Sequence, residues 1–299
     1  DAPCSSYSIS YSINGGAWQT QAFSDALPAN GTKAVSLLGL DLSAPSNYQL
    51  RVAVTNNALP DPVPANDSMV HYADQLPNPA VTLDFTEDFE TISYLNSIHD
   101  TAGFGINRRW EYRNTTDTGR IRSFVLYSTL IGGQRSISLD AYKSCPGNFN
   151  TLTGTFNLAG YDAHNEEVRL EFDYIAHGVP KGEPGNELLL RGSDTKVYQV
   201  AYNYKMKQAD VGKVINSGSI SLSDILLNTA DNFSTSTQLQ FGQNDTSLIA
   251  GRSDGNGLTV DNIRLYTVQN DVQLISVLSP ESFACGRTEP VSLTVKVRN

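Results

Sequence analysis

Cysteine, histidine and positive charge are scarce in this 299-residue chain. Three cysteines, Cys4, Cys145 and Cys285, exclude a disulfide framework, since one internal bridge at most can form. Four histidines, His71, His99, His164 and His177, show no HxH or HExxH spacing and leave zinc chemistry almost no material. Lys plus Arg total 21 against 31 Asp plus Glu, a net charge of −10. An acidic surface repels phosphate backbones, so nucleic acid is not an expected partner. No apolar run approaches the ~18 residues of a membrane span, and no basic segment leads into an apolar one as in a signal peptide. Membrane insertion is therefore not expected. No GxSxG elbow occurs, and no long stretch carries an apolar stripe at helical period.

What the chain has in abundance is alternation at period two. Tyr7, Ile9, Tyr11 and Ile13 share one face, as do Tyr48, Leu50, Val52 and Val54. Val168, Leu170, Phe172 and Tyr174 repeat the pattern, and so do Val291, Leu293, Val295 and Val297. Such segments read as half-buried strands of antiparallel sheets. Turn clusters separate them, among them Asn14-Gly15-Gly16, Ala29-Asn30-Gly31 and Asp254-Gly255-Asn256-Gly257. The expected fold is all-β, an Ig-like β-sandwich plus a jelly-roll β-sandwich.

Punctuation divides the chain. Pro60, Pro62, Pro64, Pro77 and Pro79 crowd residues 60–80, which reads as a domain edge with a short stiff linker. Residues 81–268 form one strand-rich block of jelly-roll size. Residues 269–299 open a new unit with two strand-like segments. Residues 1–80 supply about five strands where an Ig-like sandwich has about seven. Joining the tail to the head gives VSLTVKVRN followed by DAPCSSYSISYSINGG, consecutive strands with a short loop. The two ends are therefore expected to be parts of one kind of domain. In that joined domain Cys285 and Cys4 flank a strand of about eight residues, roughly 27 Å long, so they are not expected to pair within it.

The segments SYSISYSINGGAWQTQAF, ALPANGTKAV, LDLSAPSNYQLRVAV and NDSMV resemble the later strands of CARDB-type, Ig-like adhesion modules in large Bacteroidetes surface proteins. The tail DVQLISVLSPESFACGRTEPVSLTVKVRN resembles their first two strands. The middle block is similar to the MAM-like or lectin-like jelly roll found between such modules, through FTEDFE, Trp110, ISLDAY, TLTGTFNLAGY, VRLEFDYIAHG, NELLLRGSD and LTVDNIRLYTV. The resemblance implies an extracellular or cell-surface location, export by the type IX secretion system and tandem repetition. The sorting domain expected at the end of such a protein is not among these residues, which favours an excerpt or a single repeat.

Three groups of residues carry candidate chemistry. Asp88, Glu90 and Asp261 lie near the first and last jelly-roll strands, which usually run side by side. Carboxylates brought together favour Ca²⁺, a hard cation with oxygen ligands. The same parity as Ile263 and Leu265 turns Asp261 toward the core. In jelly rolls of the resembled type such positions often hold a structural metal, so a structural Ca²⁺ is expected here, against the plainer alternative of turn caps or pairing with Arg264 or Arg108. Arg108, Arg109, Trp110 and Tyr112, with Arg113, form an aromatic-basic cluster suited to stacking on sugars. The favoured reading is plainer: Trp110 belongs to the core, since tryptophan is highly buried on average, and the arginines offset the acidic surface. Tyr198, Tyr202 and Tyr204, with Lys205 and Lys207, offer a second such surface on one strand face. Ser68 and Thr101 stand in D-[S/T]-aliphatic-type triplets, Asp67-Ser68-Met69 and Asp100-Thr101-Ala102, that O-glycosylation of such surface proteins uses. Five N-x-[S/T] sequons, at Asn30, Asn66, Asn114, Asn232 and Asn244, matter only in a eukaryotic source.

No catalytic residue is assigned. Glu171 and Asp173 alternate with core positions and read as a solvated strand face. The leading expectation is a non-catalytic structural and adhesive repeat of an extracellular filament or giant adhesin, glycosylated and calcium-stapled. Its partners are identical neighbouring units head-to-tail, through strand complementation or tandem continuity. The alternative is a carbohydrate-binding module of a secreted multidomain protein, with surface polysaccharide as partner. A hydrolase whose catalytic segment lies elsewhere ranks third.

Overall fold

Among the described residues the period-two alternation becomes antiparallel sheet; Val291 lies outside them. The computed structural model describes residues 4–56, 63–123, 131–142, 148–179, 185–204, 207–244, 257–268, 273–279 and 292–298. The chain divides into two compact units, Asp1–Pro77 and Asn78–Asn299. The proline-rich stretch is not all linker, because residues 68–75 form a strand of the first unit.

In the first unit β1 (Tyr7–Ile13), β2 (Gln19–Phe23), β3 (Ser46–Asn56) and β4 (Ser68–Gln75) form one sheet in the order β2-β1-β3-β4. The register puts Tyr7, Ile9, Tyr11, Leu50, Val52, Val54 and Met69 on one face together with Gln19, Gln21 and His71, and Ser8, Ser10, Thr20, Arg51 and Thr55 on the other together with Val70 and Tyr72. Residues 24–45 are tied to the apolar face near β1 and β2. The Tyr11 hydroxyl and the Gln21 amide donate to the Leu38 carbonyl at 2.7 and 2.8 Å, and the Tyr48 hydroxyl donates to Ala44 O at 2.6 Å. Tyr7 stacks on Phe23 at 5.2 Å. Tyr7, Tyr11 and Tyr48 are buried; Val54 and Met69, toward β4, are exposed.

The second unit holds the jelly roll. Its strands are β5 (Phe85–Glu87), β6 (Asn96–Ser97), β7 (Thr101–Phe104), β8 (Trp110–Asn114), β9 (Gly119–Arg122), β10 (Ile137–Ala141), β11 (Phe149–Phe156), β12 (Glu167–Ala176), β13 (Glu187–Arg191), β14 (Gln199–Asn203), β15 (Val214–Asn216), β16 (Ile220–Ser221), β17 (Thr237–Asn244) and β18 (Leu258–Val268). Among the described residues they form two sheets. One runs β15-β12-β18-β10-β9-β6, with β16 beside β12 and β5 beside β18; the other runs β14-β13-β17-β11-β8-β7. The only α-helix among the described residues, α1 (Leu222–Asn228), is two turns long and capped by the Ser221 hydroxyl, as the strand-dominated pattern implies.

The inner faces of the two sheets enclose an aromatic core. Trp110 meets Phe89, Phe156 and Phe241 at centroid distances of 5.4, 5.7 and 6.1 Å, and Phe172 meets Phe241 at 5.1 Å. Glu87 lies buried beneath the tryptophan. Its carboxylate accepts from the Trp110 indole N–H at 3.0 Å, the Ile106 amide at 2.7 Å and the Phe89 amide at 3.0 Å. Burial raises the Glu87 carboxyl above its ordinary range, and the three donors oppose that rise. Gly105, at φ 71°, is required here: a Cβ would overlap both the Trp110 ring and the Glu87 carboxylate.

After the jelly roll, β19 (Gln273–Ser279) and β20 (Thr294–Arg298) pair only with each other among the described residues. Cys4 is a free thiol; Cys145 and Cys285 lie outside the described residues.

Candidate binding face

The outer face of the β14-to-β7 sheet is built from alternation. Leu188, Leu190, Leu152, Phe156, Leu239, Phe241, Trp110 and Tyr112 point inward and are fully buried. The intervening residues therefore point out. Cross-strand register aligns Leu189, Gln240, Thr153 and Glu111 in one row, and Arg191, Gln238 and Thr155 in the next. Tyr198 joins the second row, its ring 5.0 Å from the Arg191 guanidinium carbon.

Hydrogen bonds fix this face in advance. The Tyr198 hydroxyl and Arg191 Nη2 both donate to Gln238 Oε1, the latter at 2.6 Å. With its oxygen engaged, the Gln238 amide turns its Nε2 to Thr155 Oγ1 at 3.0 Å. Gln240 Nε2 donates to Thr153 Oγ1 at 3.2 Å. Burial raises the Tyr198 phenol, so it remains a neutral donor. The face thus offers amides, hydroxyls, one stacked arginine and an aromatic ring. That set can hydrogen-bond an uncharged polyhydroxylated ligand and lay its C–H surface on Tyr198 and Leu189.

Of the aromatic pair first suspected of meeting sugars, neither reaches solvent. Trp110 and Tyr112 are fully buried, Trp110 against the phenylalanines and Tyr112 with its hydroxyl on Asn150 Oδ1 at 2.7 Å. Arg109 is buried too. Its Nη2 donates to Pro79 O at 2.8 Å, and its guanidinium lies about 6 Å from the Phe156 ring. Arg108 alone of the four is exposed. The alternation that made Trp110 and Tyr112 share a face put that face inside.

The second tyrosine group is also split. Leu188 pairs with Tyr202 but Leu189 with Val200, so a β-bulge lies between them. The extra residue reverses strand parity. Tyr202 and Tyr204 face inward beside Phe172 and Tyr174, while Tyr198 faces out. Lys205 lies outside the described residues and Lys207 is exposed. The outer rows of glutamine and threonine were written in TLTGTF and TQLQF, where polar residues alternate with the core.

A second bulge moves Asp261. Glu171 pairs with Arg264 but Asp173 with Asp261, and Asn262 takes φ 51°. Ile263 and Leu265 therefore face the core, and Asp261 faces outward, contrary to simple parity. Covering structure still buries it to 1% exposure. Ser136 Oγ donates to its Oδ2 at 2.7 Å and the Asn262 amide to its Oδ1 at 2.8 Å. Burial first, then the charges of Glu90 and Asp88, push the Asp261 carboxyl up to about 7 against those donors. The three expected cation ligands are thus close enough to feel one another. They are not a preformed shell: Glu90 Oε1 accepts the Gln134 and Arg135 amides at 2.7 and 3.0 Å, Asp88 Oδ1 accepts the Glu90 amide at 3.1 Å, and among the described residues no three His, Cys, Asp or Glu side chains gather as metal ligands. Of the two glycosylation positions, Ser68 is exposed at the start of β4, and Thr101 is half-buried at the start of β7.

The outer face of the β15-to-β6 sheet, which holds Asp261, carries two further buried polar groups. Asp140 accepts from Arg120 Nη2 at 2.7 Å and Arg122 Nη2 at 2.9 Å. The His177 imidazole Nε2 lies 2.8 Å from Thr259 Oγ1. Burial, and secondarily the charge of Arg122, pushes that imidazole down to about 4, so it is neutral near pH 7.

No family model and no curated protein matches the chain. Among solved structures it is similar to the CBM22-1 xylan-binding domain of Paenibacillus barcinonensis Xyn10C, at 11% identity over 60% of this chain and 97% of that one, with a TM-score of 0.31. It is also similar to the Stig cyclase Fisc of Fischerella sp. TAU, at 13% identity over 59% of this chain and 98% of that one, with a TM-score of 0.32.

Proposed function

We propose that this chain is a non-catalytic adhesive module of an extracellular surface protein, and that its jelly roll holds neutral polysaccharide on the outer face of the β14-to-β7 sheet. The observation that carries this reading is the hydrogen-bonded row Tyr198–Arg191–Gln238–Thr155. Its donors and acceptors are set before any ligand arrives, which lowers the ordering cost of binding. The face is nearly neutral on a strongly acidic chain, which suits an uncharged ligand better than an anionic one.

Affinity electrophoresis against soluble neutral polysaccharides tests it. Retardation of the full chain is expected with at least one of them. Gln238→Ala and Tyr198→Ala should each weaken retention about 5–10-fold, the loss of one hydrogen-bonding or stacking group. Trp110 substitutions act only through stability. Equal retention of both face variants and the parent would place binding elsewhere; no retention on any polysaccharide would end the reading.

A Ca²⁺ ion belongs to the same reading as a staple, not as a reagent. Asp88, Glu90 and Asp261 would hold it, with Ser136 and Asn262 nearby. Burial is the main cause of the raised Asp261 carboxyl, but the charges of Glu90 and Asp88 add to it, and a cation would relieve that repulsion.

A further inference from the structure

One end of the outer face of the β15-to-β6 sheet is positively charged on an otherwise acidic chain. Register lays Asn96, Arg122, Ser138 and Thr259 in one row across β6, β9, β10 and β18, with Arg120 and Asp140 opposite each other in the next. Arg120 grips the fully buried Asp140 as a fork, Nε on Oδ1 at 3.0 Å and Nη2 on Oδ2 at 2.7 Å. Arg122 Nη2 shares that Oδ2 at 2.9 Å. Two guanidinium groups meet one carboxylate, so one positive charge is left unanswered.

The surplus falls on Arg122. Its side chain is 9% exposed, yet its Nε has no hydrogen-bond partner, and among the described residues Asp140 is its only ion-pair partner. A buried charged donor without an acceptor is costly, and a water could satisfy the donor but not the charge. The groups beside it are neutral. Ser138 Oγ lies 2.8 Å from Thr259 Oγ1, which lies 2.8 Å from the Nε2 of the uncharged His177 imidazole. Asp261, further along β18, is engaged by Ser136 and the Asn262 amide.

The site opens at the β6 edge of the sheet. Asn96 is exposed beside Arg122, and Tyr94 is 64% exposed, its phenol near enough to act on the Arg122 guanidinium. Each group has a use in holding an acidic sugar. The Tyr94 ring can lie on the C–H face of a pyranose, the Asn96 amide can bond its hydroxyls, and the guanidinium can take a carboxylate through charge-assisted hydrogen bonds. A neutral sugar would leave the buried charge unanswered, and a bare carboxylate would leave the ring unused.

We propose that Arg122, Asn96 and Tyr94 form a binding site for a uronic acid residue of an acidic polysaccharide, with the carboxylate on Arg122. The site lies on the sheet opposite the Tyr198–Gln238 row and does not depend on the neutral-polysaccharide reading.

Calorimetric titration of the full chain with a glucuronic acid trisaccharide tests this. Chelator is present throughout, so that no cation at Asp88, Glu90 and Asp261 can hold the carboxylate. Saturable binding is expected. The methyl ester of the same trisaccharide should bind at least about tenfold more weakly, the loss of one charge-assisted contact. Tyr94→Ala and Asn96→Ala, both at exposed positions, should each weaken binding about 3–10-fold and leave the melting temperature unchanged. Arg122→Lys keeps the charge but loses the planar fork and should also weaken it. Gln238→Ala should bind the acid as the parent does. No saturable binding of the acid overturns the proposal, as does equal affinity for acid and ester. Acetate binding as tightly as the trisaccharide would show a site for any carboxylate, a peptide end included, and would overturn the sugar assignment. Parent-like binding by both Tyr94→Ala and Asn96→Ala, or weakened binding by Gln238→Ala, would place the acid elsewhere and overturn it too.

Discussion

The jelly roll and the first unit are written in the same alternating code, and they come to different ends. In the jelly roll every inward residue meets another sheet, so Trp110, Phe172 and Phe241 are fully buried. In the first unit the inward residues of β1 are covered, while Val54 and Met69, further along the same face, are not. Alternation makes a sheet with two unlike faces. It does not supply the layer that the apolar face requires.

The largest effects should come from the closed core. Trp110→Ala should cost about 3–5 kcal/mol for the lost ring. Further loss follows because Glu87 keeps its burial and loses its indole donor. Tyr11→Ala in the first unit should cost less, since its sheet is packed on one side only in part. Denaturant unfolding that ranks Tyr11→Ala above Trp110→Ala would break the contrast between the units.

Next comes the buried ion pair on the outer face of the first jelly-roll sheet. The fully buried Asp140 carboxylate is shared by two guanidinium groups, the Arg122 side chain 9% and the Arg120 side chain 21% exposed. Asp140→Ala leaves both without a partner and should cost about 3–5 kcal/mol. A cost under 1 kcal/mol in urea unfolding would mean that the arginines swing out to solvent.

Two buried titrating groups give opposed pH slopes. The folded-state carboxyl of Asp261 is raised to about 7, so its contribution is complete below about pH 4 and is lost as pH rises through 7. The folded-state imidazole of His177 is depressed to about 4, so its contribution is complete above about pH 6.5 and is lost as pH falls through 4. The parent should therefore change little between pH 4 and 6.5. Asp261→Asn should instead gain stability across that window and exceed the parent at pH 8, by on the order of 2–4 kcal/mol. His177→Gln should lose stability from pH 4 to 7. Ca²⁺ at pH 8 should raise the parent's melting temperature and leave Asp261→Asn unmoved. A melting curve indifferent to both Ca²⁺ and chelator would remove the cation from the account.

The sheets and the scarcity of helix were legible because each rests on local pattern. Side-chain direction was less so. Counting by twos assigned Asp261 to the core and grouped Tyr198 with Tyr202, and both readings fail at a bulge. Asn262 and the residue between Val200 and Tyr202 each insert one position, and every side chain beyond changes face. Nothing in the composition of either strand marks the insertion; it appears only when the partner strand is in place. Trp110 was ambiguous for another reason, although burial was the favoured reading and holds. An aromatic residue flanked by arginines reads the same inside a sandwich or upon it, and only the Glu87 beneath the indole decides.

The smallest expected effect distinguishes the two units most directly. Met69 is 68% exposed in the isolated chain, so Met69→Gln removes almost no burial. Its effect on the unfolding of dilute monomer should fall within about 0.5 kcal/mol, as for surface substitutions generally. If copies were to assemble through this face, the same side chain would be covered. The variant would then melt lower than the parent, and the gap would widen with concentration, because association stabilises only the chains that bind. A substitution inside the jelly roll, such as Phe172→Ala, should show a large gap that does not depend on concentration. A Met69→Gln gap that stays constant from dilute to concentrated solution would mean that the open face of the first unit is simply a tolerated exposed surface, and that this sheet stands with a single layer.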